Sequence, residues 1–246
     1  MSNGPMRQIV AMGGGGFMME PENLLLDRYI LGLAGKARPK VLYVPTATGD
    51  SQERIDAFYR IYGEIDCEPS HLSLFRHRTV HIRDLVLGQD VIYVSGGNTR
   101  NMLVLWETWG LDKLLREAWE RGVVLAGLSA GSICWFEEGV TDSIPAVIPD
   151  MPGDLAAMRC LGFLPGSNCP HYDGEEARRP AYHLLIGQGL IGPGYAADDG
   201  VGLHYIGTDL AKAVSSRPHA KAFRVEKHGD AVSETVLETV YLGEIA

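Results

Sequence analysis

The sequence predicts an α/β protein: a doubly wound, mostly parallel sheet with flanking helices and a β-rich C-terminal part. Three observations carry that expectation. Short apolar runs alternate with stretches of helical periodicity over the first half of the chain, the pattern of a parallel sheet covered on both faces. Three of those runs end in turns of small residues, at Gly13, Gly96 and Ser129. From Gly194 onward, apolar and polar residues alternate as they do in antiparallel strands. Turns that leave a parallel sheet at its C-terminal edge gather in one region, and sites form there.

Gln8 to Met12 is the first strand, and it ends in Gly13-Gly14-Gly15-Gly16. The spacing does not fit G-x-G-x-x-G, no phosphate-binding lysine follows, and no acidic residue ends the second strand. The glycines are therefore read as a close-approach loop lining an active site. Leu24 to Ala34 has helical spacing and Pro39 to Pro45 is a second strand. Asp50 to Gly63 is an amphipathic helix, His71 to Phe75 a strand, and His81 to Leu87 a short helix. The run from Asp90 enters Gly96-Gly97 as a buried strand. Helices follow from Thr99 to Trp109 and from Leu111 to Arg121, and Val123 to Leu128 is the next buried strand. Residues 137–166 are rich in proline, glycine and aspartate and are read as an active-site loop. Arg178 to Gly187 is helical, Gly194 to Tyr205 forms short strands around a turn, and Lys221 to Val225 and Val236 to Leu242 are edge strands or hairpins. No linker or repeat divides residues 1–246, so one domain is expected, with residues 1–6 a lead-in.

The composition excludes several classes. A formal charge of −9 argues against nucleic acid and anionic membrane as partners, since both are held largely by lysine and arginine. No apolar run has the length of a membrane span, and no charged segment followed by an apolar core opens the chain. A soluble, cytoplasmic protein is expected, as monomer or homodimer. Cys67, Cys134, Cys160 and Cys169 show no C-x-x-C pairing, so neither a zinc site nor a redox motif is indicated, and no metal or cofactor is expected.

Gly127-Leu128-Ser129-Ala130-Gly131 follows a buried strand and opens a helix, which is the pattern of a nucleophile elbow. A strand turning sharply into a helix leaves no room for side chains two residues either side of the turn. The free N–H groups of the helix point at whatever the serine attacks, so the Ala130 amide is placed to hold an oxyanion. A serine needs an imidazole to take its proton and an acid to orient the imidazole. Of His71, His77, His81, His171, His183, His204, His219 and His228, His171 stands out, because Pro170 restricts it and a polar segment surrounds it. Asp198 and Asp199, before Gly200, lack a clustered histidine and are read as a turn rather than a metal pair.

Gly96-Gly97-Asn98-Thr99, the Ser129 elbow and Pro170-His171, in this order, resemble the peptidase E family of serine peptidases, the aspartyl dipeptidases, from the first strand to beyond Gly187. The resemblance implies a fold like a class I glutamine amidotransferase, with serine in place of the nucleophilic cysteine. It implies cofactor-free hydrolysis of dipeptides and short peptides after an N-terminal aspartate. It assigns Ser129 as nucleophile, His171 as general base, and the Gly97 and Ala130 amides as the oxyanion hole. Thr141-Asp142 is the nearest match to the family's acid, with Glu138 and then Glu137 as alternatives. Arg178, in Gly174-Glu-Glu-Ala-Arg-Arg179, matches the arginine expected to grip the substrate carboxylate. The rival readings are a cyanophycinase-like hydrolase, an α/β-hydrolase esterase using His204 or His228, and a non-catalytic amidotransferase-like binding domain.

Overall fold

A computed structural model describes residues 4–75 and 81–244. His77 and the first three residues of the expected lead-in lie outside the described residues. In chain order the elements are β1 (Gln8–Met12), α1 (Leu25–Gly32), β2 (Lys40–Val44), α2 (Gln52–Tyr62), β3 (Glu68–His71), α3 (Ile82–Leu87) and β4 (Val91–Val94). They continue as α4 (Thr99–Trp109), α5 (Leu111–Glu120), β5 (Val124–Leu128), α6 (Ala130–Ile133), β6 (Phe136–Thr141), β7 (Ala156–Arg159) and β8 (Leu164–Cys169). The last are α7 (Arg178–Gly187), β9 (Gly194–Ala197), β10 (Val201–Ile206), β11 (Asp209–Ser215), β12 (Ala222–His228), β13 (Ala231–Leu237) and β14 (Thr239–Tyr241).

The first sheet has eight strands in the order β14-β11-β10-β1-β5-β4-β2-β3. Its parallel half, β1-β5-β4-β2-β3, is the doubly wound sheet expected from the alternation of strands and helices. Both faces are covered. α4 and α5 bury Trp106 and Trp119 on one side, and α1 and α2 cover Phe17, Tyr43 and Tyr93 on the other, where Phe58 stacks on Tyr43 with ring centroids 4.9 Å apart. β10 joins β1 antiparallel and begins the β-rich tail.

The second sheet departs from the expectation. It has six strands in the order β13-β12-β9-β8-β6-β7, and three of them come from the stretch read as a loop. Phe-Glu-Glu-Gly-Val-Thr in β6 has neither a continuous apolar run nor strict alternation, so its strand pattern is hidden. Its two glutamates are structural: Glu137 accepts the Gly166 N–H at 2.8 Å and Glu138 the Gly192 N–H at 2.9 Å. β3 also starts and ends earlier than expected. The Asp50 carboxylate accepts the N–H groups of Leu74 and Phe75 and the Ser73 hydroxyl, which turns that segment out of the sheet.

Candidate active site

Ser129 sits between β5 and α6 with φ 54° and ψ −114°, a backbone conformation that a non-glycine residue holds only when its surroundings enforce it. The flanking glycines are part of that enforcement. A Cβ on Gly127 would meet the Gly131 carbonyl at 2.5 Å, and one on Gly131 would meet the Val94 carbonyl at 2.4 Å. Gly97, with φ 132°, has the Ala47 carbonyl where a Cβ would stand, 2.3 Å away. Asn98 then caps α4 by accepting the Asn101 N–H at 2.8 Å, which fixes the turn holding Gly97.

His171 is the second non-glycine residue of the site with positive φ, also 54°. The end of β1 carries both: Met12 O accepts the Ser129 N–H at 3.3 Å, and Gly13 O accepts the His171 N–H at 3.1 Å. The carboxylate on His171 is Asp199, whose Oδ1 accepts from Nδ1 at 2.7 Å, both residues being 8% exposed. Because an ionised carboxylate only accepts, Nδ1 carries the proton and Nε2 is left with its lone pair. Asp199 is packed against two glycines. A Cβ on Gly14 would lie 2.0 Å from Oδ1, and one on Gly174 would lie 2.3 Å from Oδ2. Its own N–H donates to Asp173 Oδ1 at 2.7 Å. Neighbouring Asp198 is pushed up to about 6, first by burial and then by the carboxylates of Asp173 and Asp199.

These contacts correct the assignment of the orienting acid. Asp142 makes no bond to His171, and Glu137 and Glu138 face the backbone amides of Gly166 and Gly192. The sequence reading of Asp198 and Asp199 as a turn without a histidine partner is corrected for Asp199, whose partner His171 lies 28 residues earlier in the chain. The turn is there, between β9 and β10, and Gly200 donates its N–H to Gly14 O at 3.2 Å. The sequence signal was an acidic turn placed to meet a glycine-rich loop.

Ser129, Gly97, Asn98, Asp142, Glu175 and Arg178 line one cavity of about 340 Å3. Arg178, 4% exposed, donates from Nε to Glu175 at 2.7 Å and from Nη1 to the Val140 carbonyl at 2.9 Å. No backbone hydrogen bond among the described residues uses the amide of Gly97 or of Ala130. The histidines an esterase would need are elsewhere: His204 bonds Tyr29 and Gln8, with burial pulling it down to about 4, and His228 pairs with Glu226. Among the described residues no group of three or more His, Cys, Asp or Glu could hold a metal ion. No helix among them is long and apolar enough to cross a membrane.

The sequence model of peptidase family S51 matches residues 9–213. The uncharacterized peptidase YgaJ of Bacillus subtilis (strain 168) is 56% identical over 238 residues, covering 97% of this chain and 100% of that protein. Among solved structures, a peptidase from an acI-B1 actinobacterium shares the fold with a TM-score of 0.69 at 19% identity, over 95% of this chain and 96% of that one.

Proposed function

The chain belongs to peptidase family S51, and from that premise we propose a serine peptidase that hydrolyses dipeptides or short peptides after an N-terminal aspartate. The observation that carries the reading is the His171–Asp199 pair, held on the same strand end as a strained serine whose cavity contains a buried arginine. Ser129 Oγ gives its proton to His171 Nε2 and attacks the scissile carbonyl. The amides of Gly97 and Ala130 hold the oxyanion, and Asp199 stabilises the imidazolium that forms. His171 then protonates the leaving amine, and water, activated by the same imidazole, releases the acyl group. Arg178 takes the aspartate side chain through Nη2, which makes no hydrogen bond among the described residues, whereas Nε and Nη1 are fixed by theirs. Four free cysteines, three of them buried, suit a reducing, cytoplasmic setting.

The test is hydrolysis of p-nitroanilides of Asp, Glu, Asn, Ala and Arg by wild type, Ser129→Ala and Arg178→Ala, with fluorophosphonate labelling beside it. Asp-selective cleavage should fall by roughly 10⁴- to 10⁶-fold without Ser129 and lose its selectivity without Arg178. Activity that survives Ser129→Ala, or a wild type that does not label, overturns the reading.

A further inference from the structure

Among the described residues, the Asp199 carboxylate makes a single hydrogen bond, the one to His171 Nδ1. Its place is therefore set by the main chain of the turn at residues 198–200. Besides Asp173, which accepts the Asp199 N–H, two segments grip that turn from either side. On one side Gly200 donates its N–H to Gly14 O at 3.2 Å, and a Cβ on Gly15 would lie 3.0 Å from Gly200 Cα. On the other, Ser216 donates its N–H to Gly200 O at 2.8 Å, and a Cβ on Gly200 would lie 2.9 Å from Ser216 Oγ and from Arg217 Cγ. This strap, just after β11, is tied back to the segment that follows the glycine loop. Arg217 Nε donates to Glu20 Oε1 at 2.9 Å, Ser216 Oγ lies 3.4 Å from Glu20 Oε2, and Asn23 Nδ2 donates to Ser216 O at 3.0 Å. Glu20 is itself fixed on the loop, since its N–H donates to Gly16 O at 2.8 Å.

The Glu20–Arg217 pair is partly open to water, the two side chains being 21% and 37% exposed, and a pair of that kind adds little to global stability. Its effect is local. It joins residues 197 positions apart and so closes the strap onto the turn that carries Asp199. Resting on the serine peptidase reading, we propose that Glu20 and Arg217 are positioning residues whose ion pair keeps the Asp199 carboxylate within hydrogen-bond reach of His171. Neither lines the cavity of Ser129, so the pair acts through Asp199. A loosened strap lets the turn back away from Gly14, and the imidazolium that forms on proton transfer then loses its carboxylate.

The experiment measures kcat, KM and the acid limb of the kcat/KM–pH profile on aspartyl p-nitroanilide, with melting temperatures and fluorophosphonate labelling beside them. It uses wild type, Glu20→Ala, Glu20→Gln, Arg217→Met, which keeps the stem packed on Gly200, and the double variant Glu20→Ala/Arg217→Met. Glu20→Ala and Arg217→Met should each lower kcat by roughly 10- to 100-fold with KM little changed. Both should move the acid limb to lower pH, because an imidazolium without its carboxylate loses its proton more readily. Glu20→Gln still accepts from Arg217 Nε and should recover most of kcat, and the double variant should be no worse than either single one. An unmoved acid limb, with any loss of kcat following the melting temperature, would make the pair merely structural and overturn the proposal. A change confined to KM would assign the pair to substrate binding and overturn it too, leaving the serine peptidase reading standing in both cases. A wild type that neither labels nor cleaves overturns the underlying reading, and this assignment with it.

Discussion

Ser129 and His171 are held in left-handed backbone conformations by bonds to successive carbonyls, Met12 O and Gly13 O, so the two side chains are placed by main chain rather than by their own rotamer preferences. Asp199 then decides which imidazole nitrogen is basic. Asp199→Asn keeps the shape but lets an amide N–H face Nδ1, favouring the tautomer with the proton on Nε2. We expect kcat to fall by on the order of 10³- to 10⁴-fold with KM little changed, measured on aspartyl p-nitroanilide. If Asp142→Asn produced that loss of kcat and Asp199→Asn did not, the assignment of the acid would be wrong. The elbow around Ser129 and the restricted backbone at His171 are legible in the chain because each is marked by local chemistry. The acid is not, because a carboxylate in a turn looks the same whether its side chain meets water or a histidine 28 residues earlier.

The element that presents Arg178 is α7, and its start is tied to the second sheet by one carboxylate. Glu234 on β13 accepts from Nε and Nη2 of Arg179 and from Tyr172 at 2.6 Å, and pairs with His183 at 3.2 Å. Burial pushes the Glu234 carboxyl up, but the bonds from Arg179, Tyr172 and His183 together outweigh it and hold the group at about 2. A depressed carboxyl contributes stability that is complete above its unfolded value of 4.5 and disappears as pH falls through that window toward 2. Glu234→Gln should therefore cost about 2 kcal/mol at pH 7. In denaturant titrations the gap to wild type should close between pH 4.5 and 2. A gap that stays constant with pH would mean that packing, not charge, fixes α7. This network is illegible in the sequence for the same reason that β6, β7 and the start of β8 carry the pattern of a loop. The second sheet is mixed and short-stranded, and Glu137 and Glu138 on β6 bond to the main-chain amides of Gly166 and Gly192, so its pattern appears only once the strands are paired.

At the scale of the whole molecule, the site is a seam between the two sheets. Ser129 leaves the first sheet from β5, whereas His171 follows β8 and Asp199 follows β9, both strands of the second. The glycine loop after β1 joins the two: Gly13 donates to Val201 O at 2.9 Å and accepts from His171, and Gly14 accepts from Gly200. The reading of Gly13 to Gly16 as a close-approach loop was possible because four glycines after a strand have few other uses. What approaches them could not be read, since it comes from residues 171 and 199. Gly14 makes the sharpest test of the seam. Its φ is not positive, so alanine is allowed by the local backbone. The added methyl would stand 2.0 Å from Asp199 Oδ1 and 3.1 Å from His171 Nδ1, the two atoms of their hydrogen bond. Gly14→Ala must therefore part the histidine from its acid or push the two sheets apart. Parting the pair would lower kcat toward the Asp199→Asn value with a small change in melting temperature, whereas separating the sheets would destabilise the whole fold. Because the carboxylate lies at a loop and the sheets share β-strand hydrogen bonds only within themselves, we expect the first outcome: a loss of at least about 100-fold in kcat with cooperative unfolding retained. Near wild-type kcat in Gly14→Ala would show that the His171–Asp199 contact is not needed for turnover.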